Sequence, residues 1–181
     1  LVDFGRADIA YRLLMSTRFP SWLYIVNNGA TTVWERWDAW IPGRGFQNPA
    51  MNSLDHVAFG AVGEWMYRNI LGINPDPKSP GYSHFILRPI PGGGLTWAEG
   101  SYDSIKGQIS SAWETAGRST TYRFTIPANT SATVILPDCK PEEISSLIPQ
   151  TATRPAFKHT NGNSSTELGS GEYTFIVKKA S

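Results

Sequence analysis

Glu35 lies between two tryptophans, in Trp34-Glu35-Arg36-Trp37. Flanking indoles oppose ionisation of a carboxylate by taking it out of water, and an adjacent guanidinium favours it. A carboxylate in that setting suits acid–base work on a sugar, because sugar rings stack on indole faces and glycosidic bonds are cleaved by carboxyl groups. The same tetrapeptide also reads as an ordinary Glu–Arg surface turn with core tryptophans around it. His56, beside Asp55, is the second candidate. At the opening of a helix its ring lies near the positive end of the helix dipole, placed as a neutral imidazole to hydrogen-bond a ligand hydroxyl. The competing reading is a capping or buried structural histidine, with Asp55 a first-turn carboxylate that complements the dipole.

The remaining reactive residues point to plainer roles. Glu64 and Arg68 are four apart on a helix and read as an ion pair. His84 and His159 are isolated, and the histidines have no metal-ligand spacing. Gly92-Gly93-Gly94 precedes neither a helix nor a Lys-Ser/Thr pair, so it reads as a turn and not a phosphate cradle. Asn129-Thr130-Ser131 and Asn163-Ser164-Ser165 match the short glycosylation sequon, and no Gly-x-Ser-x-Gly elbow occurs. The single cysteine, Cys139, excludes an internal disulfide framework and a cysteine-rich zinc site.

The elements that must hold Glu35 and His56 are helical. Ala7 to Ser16 reads as a helix with Ile9, Tyr11, Leu13 and Leu14 toward its inner side. Ser21 is placed to cap a short helix from Trp22 to Val26, which Asn28-Gly29 would end. After the Glu35 segment a Gly/Pro/Asn-rich loop runs to Asn52. Asn52 or Ser53 is expected to cap a longer helix through about Leu71, with Gly72 as its stop. Gly60 and Gly63 inside that helix predict close approach of another backbone.

From His84 the period becomes two. Phe85/Leu87, Ile105/Ile109/Trp113, Tyr122/Phe124/Ile126, Ala132/Val134/Leu136 and Tyr173/Phe175/Val177 each line one side of a strand. Turns are expected at Pro91-Gly92-Gly93-Gly94, Ala116-Gly117-Arg118, Pro127-Ala128-Asn129, Asn161-Gly162-Asn163 and Gly169-Ser170-Gly171. Residues 138–160 show no clear period. The expected division is therefore a helical segment, 1–78, and an antiparallel β-sandwich, 79–181, an α+β chain.

Composition narrows the function classes. Of 181 residues, 40% are hydrophobic and 17% charged, which favours a packed core over disorder. A net charge of +1 without any Lys/Arg run is too small for a surface that tracks nucleic-acid phosphates. No stretch approaches the roughly 18 apolar residues of a membrane span. Nucleic acid and membrane are thus not expected partners. Five of the 7 tryptophans fall in the first 65 residues, around the candidate carboxylate.

Three stretches together carry a family resemblance. They are Pro20-Ser21-Trp22-Leu23-Tyr24, then Gly29 through Trp37, with Thr31-Thr32-Val33-Trp34-Glu35-Arg36-Trp37 at its end, and then Asp55-His56-Val57-Ala58-Phe59-Gly60-Ala61-Val62-Gly63-Glu64-Trp65-Met66-Tyr67-Arg68. In this order and spacing the chain resembles bacterial α-L-rhamnosidases of glycoside hydrolase family 78. The likeness continues through Gly92-Gly93-Gly94-Leu95-Thr96-Trp97-Ala98 and Gly107 to Trp113. Beyond about residue 137 it rests on the final strand, Gly171 to Lys178.

The resemblance implies that residues 1–78 are the last helices of an (α/α)6 catalytic barrel and that 79–181 form its C-terminal β-sandwich. It implies a hydrolase that removes terminal α-L-rhamnose from glycans or glycosides with inversion. Glu35 would be the general base, His56 would contact the sugar, and Trp34 and Trp37 would shape the wall around Glu35. The family's residue before this histidine is often Asn, and here it is Asp55. The family's general acid sits in an Arg-Asp-Glu type motif that does not occur in this sequence, so the missing N-terminal part of the same enzyme is an expected partner and the fragment alone is expected to be inactive. No cofactor and no metal are expected. Periplasmic, extracellular and cytoplasmic locations in a bacterium stay open. The alternative function is a non-catalytic carbohydrate-binding or interaction module built on the sandwich.

Overall fold

A computed structural model of the chain describes residues 1–48, 50, 53–146 and 155–179. It divides into two compact units, Leu1–Trp65 and Met66–Ser181. The division falls ahead of the expected 78/79, and the reason is local. Met66–Ile70 form a π-helical turn, closed by the Leu71 N–H donating to the Met66 carbonyl at 3.1 Å. The carbonyls at the end of a helix lack partners within it. Here those of Ile70 and Leu71 accept from the Trp113 indole N–H (2.8 Å) and the Ser111 hydroxyl (2.6 Å), both in the β unit.

In the first unit, α1 spans Ala7–Leu14 and α2 spans Trp22–Asn27. A two-stranded hairpin follows, β1 (Trp40–Ile41) with β2 (Gly45–Phe46), and then α3 (Val57–Gly60) and α4 (Val62–Trp65). Ser21 caps α2 as its type and position predict, its Oγ accepting from the Tyr24 N–H at 3.0 Å while fully buried. Ser21→Ala is expected to cost about 1 kcal/mol. Urea unfolding followed by tryptophan fluorescence reads that as a lower midpoint; an unchanged midpoint would leave the cap without weight.

Three expectations for this unit are corrected. On α1 the buried side chains are Ala10 and Tyr11, whereas Leu13 is exposed. Leu13 and Leu14 instead line an open apolar cavity of about 330 Å³ with Trp22, Phe59 and Trp65. The helix expected from Asn52 or Ser53 starts only at Val57, because Ser53 and His56 are engaged in an extended ladder with residues 33–35. Asn52 itself lies outside the described residues. Gly60 and Gly63 are not crowded by a neighbouring backbone: a Cβ built on either meets nothing within 4 Å among the described residues.

The second unit is one hydrogen-bonded sheet folded into two halves. Its strands are β3 (Ile73–Pro75), β4 (His84–Leu87), β5 (Trp97–Ser104), β6 (Gly107–Ala116), β7 (Ser119–Leu136), β8 (Ile144–Ser146), β9 (Lys158–Thr160) and β10 (Asn163–Lys178). β7 and β10 pair along almost their whole length. The expected turns at Pro127-Ala128-Asn129 and Gly169-Ser170-Gly171 are bends inside these two strands and not connections between strands. Asn129 adopts φ 59°, and the β10 register shifts between Gly169 and Gly171. A bulge of this kind bends a strand without ending it. β5, β6 and β8 accompany one half of the bent pair, and β3, β4 and β9 the other.

Inward residues alternate as the sequence predicts. Phe85, Leu87, Ile109, Trp113, Ala132, Val134, Leu136 and Phe175 are fully buried. Ile105 departs from its expected row: it occupies the β5–β6 turn and is 85% exposed. The sheet is also not wholly antiparallel, because β4 pairs with β7 in parallel, His84–Leu87 against Ser131–Val134. Within 138–160, where no period is legible, the described residues form a 3-10 turn at Pro141–Glu143 and the short strands β8 and β9.

Candidate functional site

The Glu35 segment is held by a short exchange of backbone bonds with the residues before α3. The Glu35 N–H donates to the Ser53 carbonyl at 3.0 Å, and the His56 N–H donates to the Val33 carbonyl at 2.8 Å. The Thr32 hydroxyl adds a bond to the Leu54 carbonyl. Thr31-Thr32-Val33 is β-branched, which favours the extended backbone this exchange needs. Glu35 and His56 are thus fixed on adjoining strands of backbone although 21 positions separate them.

Extended geometry alternates the side chains. Trp34 turns inward: it is 6% exposed and packs in the cluster of Ile25 and Ala39, against Tyr24, Trp40 and Leu54. Glu35 turns outward and is exposed. Its Oε2 accepts from the Ser53 N–H at 3.1 Å, and Oε1 has no hydrogen-bond partner among the described residues. Among the described residues one carboxylate oxygen is therefore anchored and the other is not.

The flanking aromatics support the loop more than they enclose the carboxylate. Trp34, placed by the resemblance in the wall around Glu35, packs here into the core of its own unit. Trp37 is half-buried, stacked on Phe59 at 3.8 Å and edge-on to Trp22 at 5.3 Å. The Trp22 indole N–H donates to the Phe59 carbonyl at 2.9 Å, tying α2 to α3 beneath the site. Arg36 does not turn toward Glu35. It forms a two-point pair with Asp38 (3.1 and 3.2 Å), and Gln47 donates to the same carboxylate at 2.9 Å. The bond from Arg36 holds the Asp38 carboxyl below the usual carboxylate range.

His56 is half-buried at the N-cap position of α3, in extended conformation (φ −131°, ψ 125°). Its side chain does not cap the helix, and among the described residues its ring makes no hydrogen bond. Asp55 is exposed, with its carbonyl accepting from the Ser53 hydroxyl at 3.0 Å.

Two features escape sequence reasoning. Ser53, read as a helix cap, is the residue that orients Glu35; the β-branched run at 31–33 was the available sign that the segment needed an extended partner. His84, read as isolated, is bonded through both ring nitrogens, to Ser131 Oγ at 2.7 Å and Thr133 Oγ1 at 2.8 Å, and it bridges the parallel junction of β4 and β7. Cys139 is buried, and burial pushes its thiol upward, as suits an unreactive side chain.

The helical unit and the bent β unit fall largely within two consecutive domain families. Residues 1–70 match the bacterial alpha-L-rhamnosidase 6 hairpin glycosidase domain, and residues 72–147 match the bacterial alpha-L-rhamnosidase C-terminal domain. The chain belongs to the bacterial α-L-rhamnosidase family. A protein of Streptomyces avermitilis named Alpha-L-rhamnosidase is 41% identical over 98% of this chain, and one of Formosa agariphila with the same name is 39% identical over 80% of it. Among solved structures, that of Streptomyces avermitilis alpha-L-rhamnosidase complexed with L-rhamnose matches with a TM-score of 0.86, 41% identity and 98% of this chain covered. The chain spans 16% and 15% of the length of the two curated relatives and 17% of the solved one.

Proposed function

We propose that this chain is the part of an inverting α-L-rhamnosidase that carries the general base. Residues 1–65 contribute the last helices of an (α/α)6 barrel, and Glu35 acts on water at its mouth. The observation that carries this reading is the asymmetry of the Glu35 carboxylate, with Oε2 anchored by Ser53 and Oε1 without a partner among the described residues. A general base needs that geometry: one oxygen aimed at the water, with the rest of the group held still. Oε1 takes a proton from the water as its oxygen bonds to the anomeric carbon, on the face opposite the departing aglycone. A second carboxyl group, supplied from outside these residues, protonates the leaving oxygen. In inversion the two lie about 6.5–9.5 Å apart, leaving room for the water. L-Rhamnose is the sugar because the relatives are named for it and one was solved with it.

The test is the configuration of the first product. Proton NMR of an α-rhamnoside turned over by the full-length enzyme is expected to show β-L-rhamnose first, with the α anomer appearing only by mutarotation. If α-L-rhamnose appears first, Glu35 would be a nucleophile or a bystander, and the base role fails.

His56 contacts a sugar hydroxyl in this reading, through a ring that no described residue occupies. His56→Ala is expected to raise KM roughly 10-fold, the loss of one good hydrogen bond, with kcat changed by only a few-fold, since the contact is present in ground and transition states alike. An unchanged KM would remove His56 from the site.

A further inference from the structure

The β unit carries a second concave surface, built from residues that the Glu35 site does not use. It is a cleft of about 710 Å³ on the outer face of β5, β6, β7 and the C-terminal half of β10. The inward neighbours on those strands, among them Trp113, Phe124 and Phe175, are buried. The outer face is therefore the alternate set. The pairing register lays it out in rows. Glu99 stands opposite Ala112, Ala112 opposite Arg123, and Arg123 opposite Thr174. In the next row Ser101, Ser110, Thr125 and Glu172 stand side by side. Ala112 contributes only a methyl group, so the floor dips between Glu99 and Arg123, whose backbones are two strand spacings, about 10 Å, apart.

Gln108 on this face donates to the Asp103 carboxylate at 3.0 Å, but most of the other polar groups are unspent among the described residues. The side chains of Glu99, Ser101, Arg123, Thr125, Glu172 and Thr174 make no hydrogen bond or ion pair with any other described residue. Strands usually pair such groups across the ladder. Trp97 heads the same face of β5 and is 64% exposed, in contrast to Trp113, its near neighbour on the next strand, which is fully buried.

We propose that this face binds a chain of neutral sugars, with Trp97 as the stacking platform and Arg123, Glu99 and Glu172 as hydrogen-bonding groups for ring hydroxyls. A sugar hydroxyl both donates and accepts, so it matches a surface that offers carboxylate acceptors, a guanidinium donor and hydroxyls together. Bonds to ionised groups are the stronger ones. The exposed indole offers an apolar platform with a polar edge. From Trp97 to Asp103 the strand runs about 20 Å, a length that suits a chain over a single ring. Charge sets the class: Glu99, Asp103, Glu114 and Glu172 outnumber Arg123 over these rows, which repels polyuronates and nucleic acid alike. This site would hold polysaccharide without taking part in cleavage.

Affinity electrophoresis of the 181-residue chain tests the proposal in gels containing one of two neutral polymers, a rhamnan or a galactomannan, with polygalacturonate as the acidic control. Only the choice of the rhamnan rests on the proposed function; the galactomannan does not, and neither needs turnover. Failure here therefore leaves the role of Glu35 standing, and failure there leaves this face standing. At least one neutral polymer is expected to retard the chain, with apparent affinity falling at least fivefold in Trp97→Ala and in Arg123→Ala, and measurably in the near-isosteric Glu172→Gln. Thermal melts of the three variants check that the sheet is intact. In the full-length enzyme, Trp97→Ala and Arg123→Ala are expected to leave hydrolysis of a small aryl rhamnoside unchanged. The proposal is overturned if neither neutral polymer retards the chain, if folded variants are retarded like the parent, or if polygalacturonate retards it as strongly as the neutral polymers.

Discussion

Replacing Glu35 with Gln in the full-length enzyme is expected to lower kcat by about 10²-fold or more, the usual contribution of a positioned general base. L-Rhamnose should still bind within a few-fold of its original affinity. The structure explains why the two effects separate. The amide oxygen of Gln can keep the bond from the Ser53 N–H, so the 33–35 and 53–56 segments stay laced together through Glu35 N–H to Ser53 and His56 N–H to Val33. Trp34 remains in its cluster with Ile25 and Ala39. What changes is Oε1, which gives way to a group that cannot accept the proton of water. The loss should therefore fall on kcat and kcat/KM together, the mark of an interaction made only in the transition state. A variant with full activity would return Trp34-Glu35-Arg36-Trp37 to a structural turn.

The largest expected effect on stability is at Gly72. Its φ is +76°, a region that side chains disfavour by about 1–2 kcal/mol. A Cβ there would lie 2.0 Å from the Pro89 nitrogen and 2.1 Å from the Arg88 carbonyl carbon, both backbone atoms. Those atoms cannot step aside freely, because the Arg88 N–H donates to the Gly72 carbonyl at 2.8 Å and the Ile90 N–H to the Asn69 carbonyl at 2.9 Å. Relief would pull the π turn from the Trp113 and Ser111 side chains that complete its carbonyls. Gly72→Ala is expected to cost about 4 kcal/mol or more, among the larger effects of a single substitution. Calorimetry should show Tm lowered by about 10 °C or more. A Tm within 2 °C of the parent would mean that this junction yields easily.

Sequence reasoning read local backbone demands better than the pairings between distant segments. Glu35 and His56 stood out as candidates because a carboxylate between indoles and a histidine ahead of a small-residue helix matched one family together, and that family is the one the chain belongs to. Gly72 was legible as a helix stop and Ser21 as a cap, since both depend on local backbone demands. The strand faces were legible from alternation. What stayed hidden depended on partners distant in the chain. Ser53 looks like a cap until Thr31-Thr32-Val33 claims its backbone. Arg36 looks like a partner for Glu35 until Asp38, two residues on, takes it in a two-point pair. The bends in β7 and β10 use the same Pro, Asn and Gly residues as true turns, and only the opposing positions of two long strands show that the chain bends there without reversing.

The most direct test of the base role is the configuration of the product formed by Glu35→Gln in the presence of azide. Azide is a nucleophile without losing a proton, so it can take the place of the water that no longer has a base. The intact general acid still protonates the aglycone as the glycosidic bond breaks and the new carbon–nitrogen bond forms. If Glu35 stands on the face opposite the leaving group, an α-rhamnoside yields a β-rhamnosyl azide, with the rate restored as azide is added. An α-rhamnosyl azide would place Glu35 on the leaving-group side and contradict the account.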